Sequence, residues 1–288
     1  GTQVRRMPEQ EHKDALVEDE EKRKKEEAEA EERSAPNPSV VWDAVHQEGC
    51  DELRRRPVAL MWSGLAAGLS MGFSLISEGL LRAHLPDAGW RPLVSKLGYS
   101  VGFLVVVLGR QQLFTENTLT VVLPVLHDHT RGNLRKMMRL WAIVLSSNLA
   151  GALAIGWTLG HTAVFDRDLQ DVFRQVAQEG LGAPFGTVLL RGVFAGWTIA
   201  LMVWLMPAAE TARIWVVILL TYVIALGGFA HVVAGSVDKL FLVTTGHMSV
   251  GDYLGGFLAP SLFGNVIGGV SLVAALNHVA AAPTVQRS

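Results

Sequence analysis

Residues 95–126 read SKLGYSVGFLVVVLGRQQLFTENTLTVVLPVL. The stretch is long enough to cross a hydrocarbon core of ~30 Å at ~1.5 Å per helical residue. It is not uniformly apolar. Ser95–Leu113 suits lipid, Phe114-Thr115-Glu116-Asn117-Thr118 interrupts it, and Leu119–Leu126 is apolar again. A helix that breaks at membrane depth frees backbone polar groups. Those are tolerated only where they are buried in protein or line a cavity. Residues 214–237, IWVVILLTYVIALGGFAHVVAGSV, repeat the pattern, with an interruption around Gly227-Gly228 and His231.

Four further apolar stretches flank these two: Val58–Leu81, Leu140–Gly160, Phe185–Met206 and Leu254–Leu276. The broken stretches are then the second members of two three-span halves. Three is odd, so the halves must run in opposite senses. That predicts an all-α membrane protein of six transmembrane helices, arranged as two inverted three-helix repeats with helices 2 and 5 broken. Its permeation site lies where the discontinuous helices meet. Gly64, Gly68 and Gly72 form a small-residue stripe on the first span, with a partial counterpart in Gly186, Gly192 and Gly196.

Charge separates the domains. Residues 1–35 hold 20 of the chain's 52 charged residues, leaving a strongly apolar body. Residues 1–39 read as a charged, disordered cytoplasmic tail, with helix-forming pairs over Glu18–Arg33. Residues 40–280 form the membrane domain and 281–288 a short C-terminal tail. Val40–Arg56 is an amphipathic helix with Val41, Val45 and Leu53 on one side, and Phe165–Gly180 reads as a surface helix. Arg54, Arg55 and Arg56 before the first span, and Arg131, Arg135, Lys136 and Arg139 between the second and third, outweigh Arg82, Arg91 and Lys96 between the first and second and Lys239, alone in the loop between the fifth and sixth. The bias places both termini in the cytoplasm, with the protein multi-pass in the cell inner (plasma) membrane.

Several functions are excluded on composition. A net charge of −2 offers no footprint for nucleic acid. Cys50 is the single cysteine, so neither an internal disulfide nor a cysteine-based zinc site is available. His127-Asp128-His129 reads as a loop without a third ligand, so no metal and no cofactor are expected. No nucleophile or nucleotide loop accompanies His231, which argues against an enzyme. Glu78, Glu210, Asp238 and Asp252 fall near span ends and read as solvated.

Four motifs carry a resemblance. Gln112-Leu113-Phe114-Thr115-Glu116-Asn117-Thr118 is similar to the loop that breaks the second helix in the formate/nitrite transporter family. Gly228-Phe229-Ala230-His231 resembles its Gly-Phe-x-His segment in the fifth. Ser147-Asn148-Leu149-Ala150-Gly151-Ala152 resembles a Gly-Asn-Leu-x-Gly-Ala stretch in the third, and Gly264-Asn265-Val266-Ile267-Gly268-Gly269 a Gly-Asn-Ile-Ile-Gly-Gly stretch in the sixth. Arg110 through Asn117 is similar to the YfdC-like branch. The resemblance implies a pentamer of six-helix, aquaporin-like protomers in the lipid bilayer, each with its own pore. Glycine-rich faces on spans one and six would permit tight contact.

The resemblance also implies the pathway. His231 is the central residue, pairing with the anion or helping relay a proton. Thr115 offers a hydroxyl from the opposite break. Tyr99 and Phe103 with Ile224 form an outer constriction, and Phe114 with Leu113 an inner one. Asn117 and Thr118 read as caps of the Leu119 half-helix. Departures are as informative. Ala195 and Gly196 stand where the family's fourth helix carries Cys-Asn, Ala230 where glutamate precedes the histidine, and Gly235 where an asparagine follows it. Glu116 stands where a small residue is usual, and an acidic residue near Glu52 replaces a lysine. Glu116 is either neutralised by Arg110, the favoured pairing, or faces the lumen charged. Arg191 pairs with a carboxylate or sits between protomers. The expected function is a channel or transporter for small monovalent weak-acid anions, formate- or nitrite-like. The alternative is a pore of the same fold for a neutral or cationic solute such as ammonia, ammonium or water.

Overall fold

The computed structural model describes residues 22–24 and 37–281. The tail expected over residues 1–39 falls outside the described residues except for a helical turn at 22–24 and residues 37–39, as does the C-terminal tail from 282. Among the described residues every regular element is helical.

Helix α1, Pro38–Arg54, buries Val41, Val45, Gly49 and Leu53, the side the amphipathic pattern selects. Pro57 then opens α2, Pro57–His84. Helix α3 is Arg91–Leu108 and α4 is Asn117–His127, with the first break between them. Thr130 caps α5, Arg131–His161, by accepting from the Asn133 N–H. Asp166 caps the amphipathic α6, Arg167–Ala177, the same way. Helix α7, Phe185–Ala209, ends where Glu210 takes a φ of 27°. Helices α8, Arg213–Gly227, and α9, Val232–Thr244, frame the second break. A wider π-turn at Asp252–Leu258 leads into α10, Ala259–Ala281. Among the described residues five apolar runs have the length and composition to cross a membrane, and the fourth, Phe185–Gly227, contains both α7 and α8.

Helix pairing follows the glycines. A methyl group on Gly68 would overlap the Asn148 carbonyl, and one on Gly151 the Leu65 carbonyl, so α2 and α5 meet backbone to backbone. Helices α7 and α10 meet likewise, with Gly196 on the Asn265 carbonyl and Gly268 on that of Val193. In lipid, where there is little hydrophobic drive between helices, such close approach supplies the packing energy. These glycines are therefore used inside the protomer and are not a free face for assembly.

Two expectations need correcting. Helix α9 runs to Thr244, beyond Val237, and Lys239 lies buried inside it, not in a loop. Glu78 is buried, and Asp238 is half-buried on a cavity wall. Glu78 is paired with Lys96, whereas Glu210 and Asp252 are exposed, as read.

Candidate functional site

Both helices break by the same backbone device. At the first, Arg110 turns left-handed at φ 49°, and the Gln111 N–H reaches back five residues to the Val106 carbonyl at 2.9 Å. At the second, Gly228 turns at φ 59°, and the Phe229 N–H reaches the Ile224 carbonyl at 3.0 Å. Such a turn closes a helix by satisfying its last carbonyls. Glycine accepts it freely, whereas arginine carries a steric cost of about 1–2 kcal/mol.

Each broken loop is held by one buried asparagine. Asn148, on α5, accepts from the Phe114 N–H at 2.9 Å and donates to the Gly64 and Gln112 carbonyls at 2.8 and 2.9 Å. Asn265, on α10, accepts from the Val232 N–H at 2.8 Å and donates to the Gly192 and Ala230 carbonyls at 2.9 and 2.8 Å. Part of the backbone freed by each break is thereby satisfied within the protein.

The loops bring Thr115 and His231 together: Thr115 Oγ1 lies 2.7 Å from His231 Nε2. His231 also caps α9, its Nδ1 accepting from the Ala234 N–H at 3.1 Å. An accepting Nδ1 carries no proton, so the ring is neutral with its hydrogen on Nε2, which donates to Thr115. Phe103 stands edge-on to the imidazole with centroids 4.9 Å apart, and Tyr99 packs on Phe103 at 5.2 Å.

Two cavities adjoin the two breaks. The first, about 320 Å³, is lined by Tyr99, Ile224, His231, Gly235, Asp238 and Lys239 among others. The second, about 490 Å³, is lined by Glu48, Glu52, Arg110, Gln111, Glu116 and Arg213 among others. The bonded route between them runs His231–Thr115–Glu116. Thr115, Leu113, Phe114 and Phe103 are buried and line neither cavity. Phe114 stacks edge-on to Trp141 at 5.7 Å.

Other residues stand differently from their expected roles. Asn117 donates to Gln112 Oε1 and the Leu113 carbonyl, and the Thr118 hydroxyl to the Thr115 carbonyl, so neither caps a half-helix. Gly196 packs on Asn265, apart from both cavity linings. Arg110 pairs with Glu48 at 3.1 Å and not with Glu116, whose Oε1 is buried without a hydrogen-bond partner. His127 packs edge-on to His46 and Trp42.

The first cavity's rim was not anticipated. Lys96 Nζ is 2.5 Å from both Glu78 and Glu179 carboxylates, and Arg82 is 2.6 Å from Glu179. Lys239 Nζ donates to the carbonyls of Ala177 and Glu179 at 2.5 and 3.0 Å, placing a cation at the C-terminal end of α6. Burial pushes the Glu179 carboxyl up, but Lys96 and Arg82 outweigh it and hold the group below its ordinary value. At the second cavity burial raises Glu52, only partly offset by Arg55 at 3.1 Å.

Comparison with known proteins adds the following. The family model described as Formate/nitrite transporter matches residues 39–279. The chain is 38% identical over 269 residues to the inner membrane protein YfdC of Escherichia coli, covering 93% of this chain and 87% of that one. Among the solved structures that share the fold are two channels. One is a pentameric formate channel with formate bound, with TM-score 0.67 and 21% identity over 77% of this chain and 96% of that one. The other is an FNT family ion channel, with TM-score 0.72 and 20% identity over 85% and 99%.

Proposed function

The chain belongs to the formate/nitrite transporter family, and on that premise we propose that it is a membrane channel or transporter passing small monovalent weak-acid anions through a pore in each protomer. The observation that carries this reading is the hydrogen bond between Thr115 and His231, made where the two broken helices meet between two cavities. The matching breaks and asparagine braces support two inverted three-helix repeats in a six-span, aquaporin-like protomer. The likeness to a pentameric formate channel supports a homopentamer. Lysine and arginine placement supports an inner-membrane protein with both termini cytoplasmic and residues 1–39 as a charged tail outside the membrane domain.

In this reading a formate-like anion sheds most of its water between the cavities. The His231 Nε2–H is the donor that meets it there, displacing or sharing the Thr115 hydroxyl. A neutral donor offsets part of the lost hydration without trapping the anion as a fixed cation would. Phe103, Tyr99 and Ile224 narrow one side, and Leu113 and Phe114 pack the other, so hydrated ions are excluded. Asn117 holds the loop that presents Thr115. Gly196 acts indirectly, by leaving room for the Asn265 carbonyl.

One observation favours a second reading. Glu116 lines the second cavity and has a carboxylate oxygen without a partner, which suits a neutral or cationic solute better than an anion. The purified protein in liposomes separates the two. Saturable formate or nitrite flux is expected, with ammonium and water at background. Ammonium or water flux without anion flux overturns the anion reading. Native mass in detergent tests assembly, and a uniform dimer or trimer overturns the pentamer.

A further inference from the structure

Gln111 and Glu116 line the second cavity, and each has a buried side-chain oxygen, Oε1, with no hydrogen-bond partner in the described structure. The other carboxylates of its wall are matched: Glu48 with Arg110 and Glu52 with Arg55, each at 3.1 Å. Besides these two ion pairs on α1 and the broken loop, the charged group facing Glu116 is Arg213 of α8; α7 contributes Met202, Met206 and other uncharged residues. Glu116 therefore sits in a cavity whose other acids already have cations at ion-pair distance. A desolvated carboxylate oxygen with no partner is resolved at least cost by a proton. Glu116 adjoins Thr115, whose hydroxyl meets His231, and it lines the cavity beside that contact.

We propose that Glu116 is a proton-binding site of the second cavity and a specificity-determining residue: with its proton bound the cavity admits small anions, and without it the carboxylate repels them. This rests on the anion reading above and deepens it, assigning the pH control of anion passage to one side chain.

Two measurements test it on the full chain. The first is infrared spectroscopy of membrane-reconstituted protein at neutral pH. The carbonyl stretch of a protonated carboxylic acid is expected in the native protein and is expected to weaken in Glu116→Gln. A difference spectrum that shows only an ionised carboxylate lost overturns the proton site. The second is formate exchange in proteoliposomes at equal pH on both sides, stepped from about pH 5 to about pH 8. Comparing native and variant protein cancels the titration of formate itself. The Glu116→Gln to native flux ratio is expected near one at acid pH and to rise at least about tenfold at alkaline pH. Glu116→Asp, which keeps a carboxyl and serves as the folding control, is expected to retain the native pH dependence. A flat ratio overturns the gating role. Absent formate flux in both proteins, with the acid band present in the native one, supports the proton site and overturns the anion reading.

Discussion

Asn148 and Asn265 make the same three hydrogen bonds at two different breaks: each accepts from one N–H at its break and donates to the carbonyl two residues before that N–H and to one glycine carbonyl on a neighbouring helix. The glycines correspond as well. Gly64 and Gly68 adjoin Asn148 as Gly192 and Gly196 adjoin Asn265. Two segments more than a hundred residues apart thus use one construction to hold an irregular loop inside a helical body.

Replacing either asparagine with leucine is therefore expected to destabilise the protein by a similar amount. Each change strands one backbone donor and two acceptors at a buried loop, at about 1–3 kcal/mol per unsatisfied group before relaxation. Thermal unfolding of Asn148→Leu and Asn265→Leu in detergent reads this directly. A native melting point in either variant would mean its loop is held by something else.

Gly196→Ala and Gly68→Ala are expected to cost about 1–3 kcal/mol each, because the new methyl group would meet the Asn265 or Asn148 carbonyl. Both should lower the melting temperature together with flux. A Gly196→Ala protein of native stability with changed solute preference would return Gly196 to the pathway lining.

The rim of the first cavity makes stability depend on acid. Glu179 is held below the ordinary glutamate value of 4.5 by Lys96 and Arg82. Its contribution is thus fully present above that value and is lost as pH falls through the lower value of the folded state. Glu179→Gln is expected to flatten the acid limb of the stability curve and leave neutral stability lower than native. Melting temperatures of both proteins across the acid range check this. Parallel curves would exclude Glu179 as the group that titrates.

The breaks are legible in the sequence because a polar run or a glycine pair inside an apolar stretch is costly in lipid unless the helix opens there. Their side-chain support is less so. An asparagine in an apolar span announces that it has partners but not which, and Asn148 bonds Gly64 from 84 residues away. Lys239 and Asp238 read as the end of a span because their surroundings come from elsewhere: the carbonyls that accept from Lys239 lie 62 and 60 residues earlier. Nearness in sequence matches Arg110 to Glu116, six residues on. The left-handed turn at Arg110 instead carries its guanidinium to Glu48 of α1, a partner no local spacing could propose. The pairing of Thr115 with His231 follows from aligning the two breaks. The histidine's second task, capping α9, does not, because histidine is not among the favoured capping residues.

That double duty permits a separation of roles at His231. One ring nitrogen holds the start of α9 and the other meets Thr115. Phenylalanine removes both functions while keeping similar bulk. His231→Phe is thus expected to lose formate flux and about 0.5–2 kcal/mol of stability with the cap. Asparagine removes only one. Its side-chain oxygen can accept from the Ala234 N–H, as capping asparagines do, but the shorter side chain cannot also reach Thr115. His231→Asn is expected to melt close to the native protein, assemble normally and still lose flux. Native flux in His231→Asn would show that Nε2 has no part in passage and that the histidine is there to cap the helix. Loss of assembly in both variants would show that the contact with Thr115 holds the two loops together before it serves any solute.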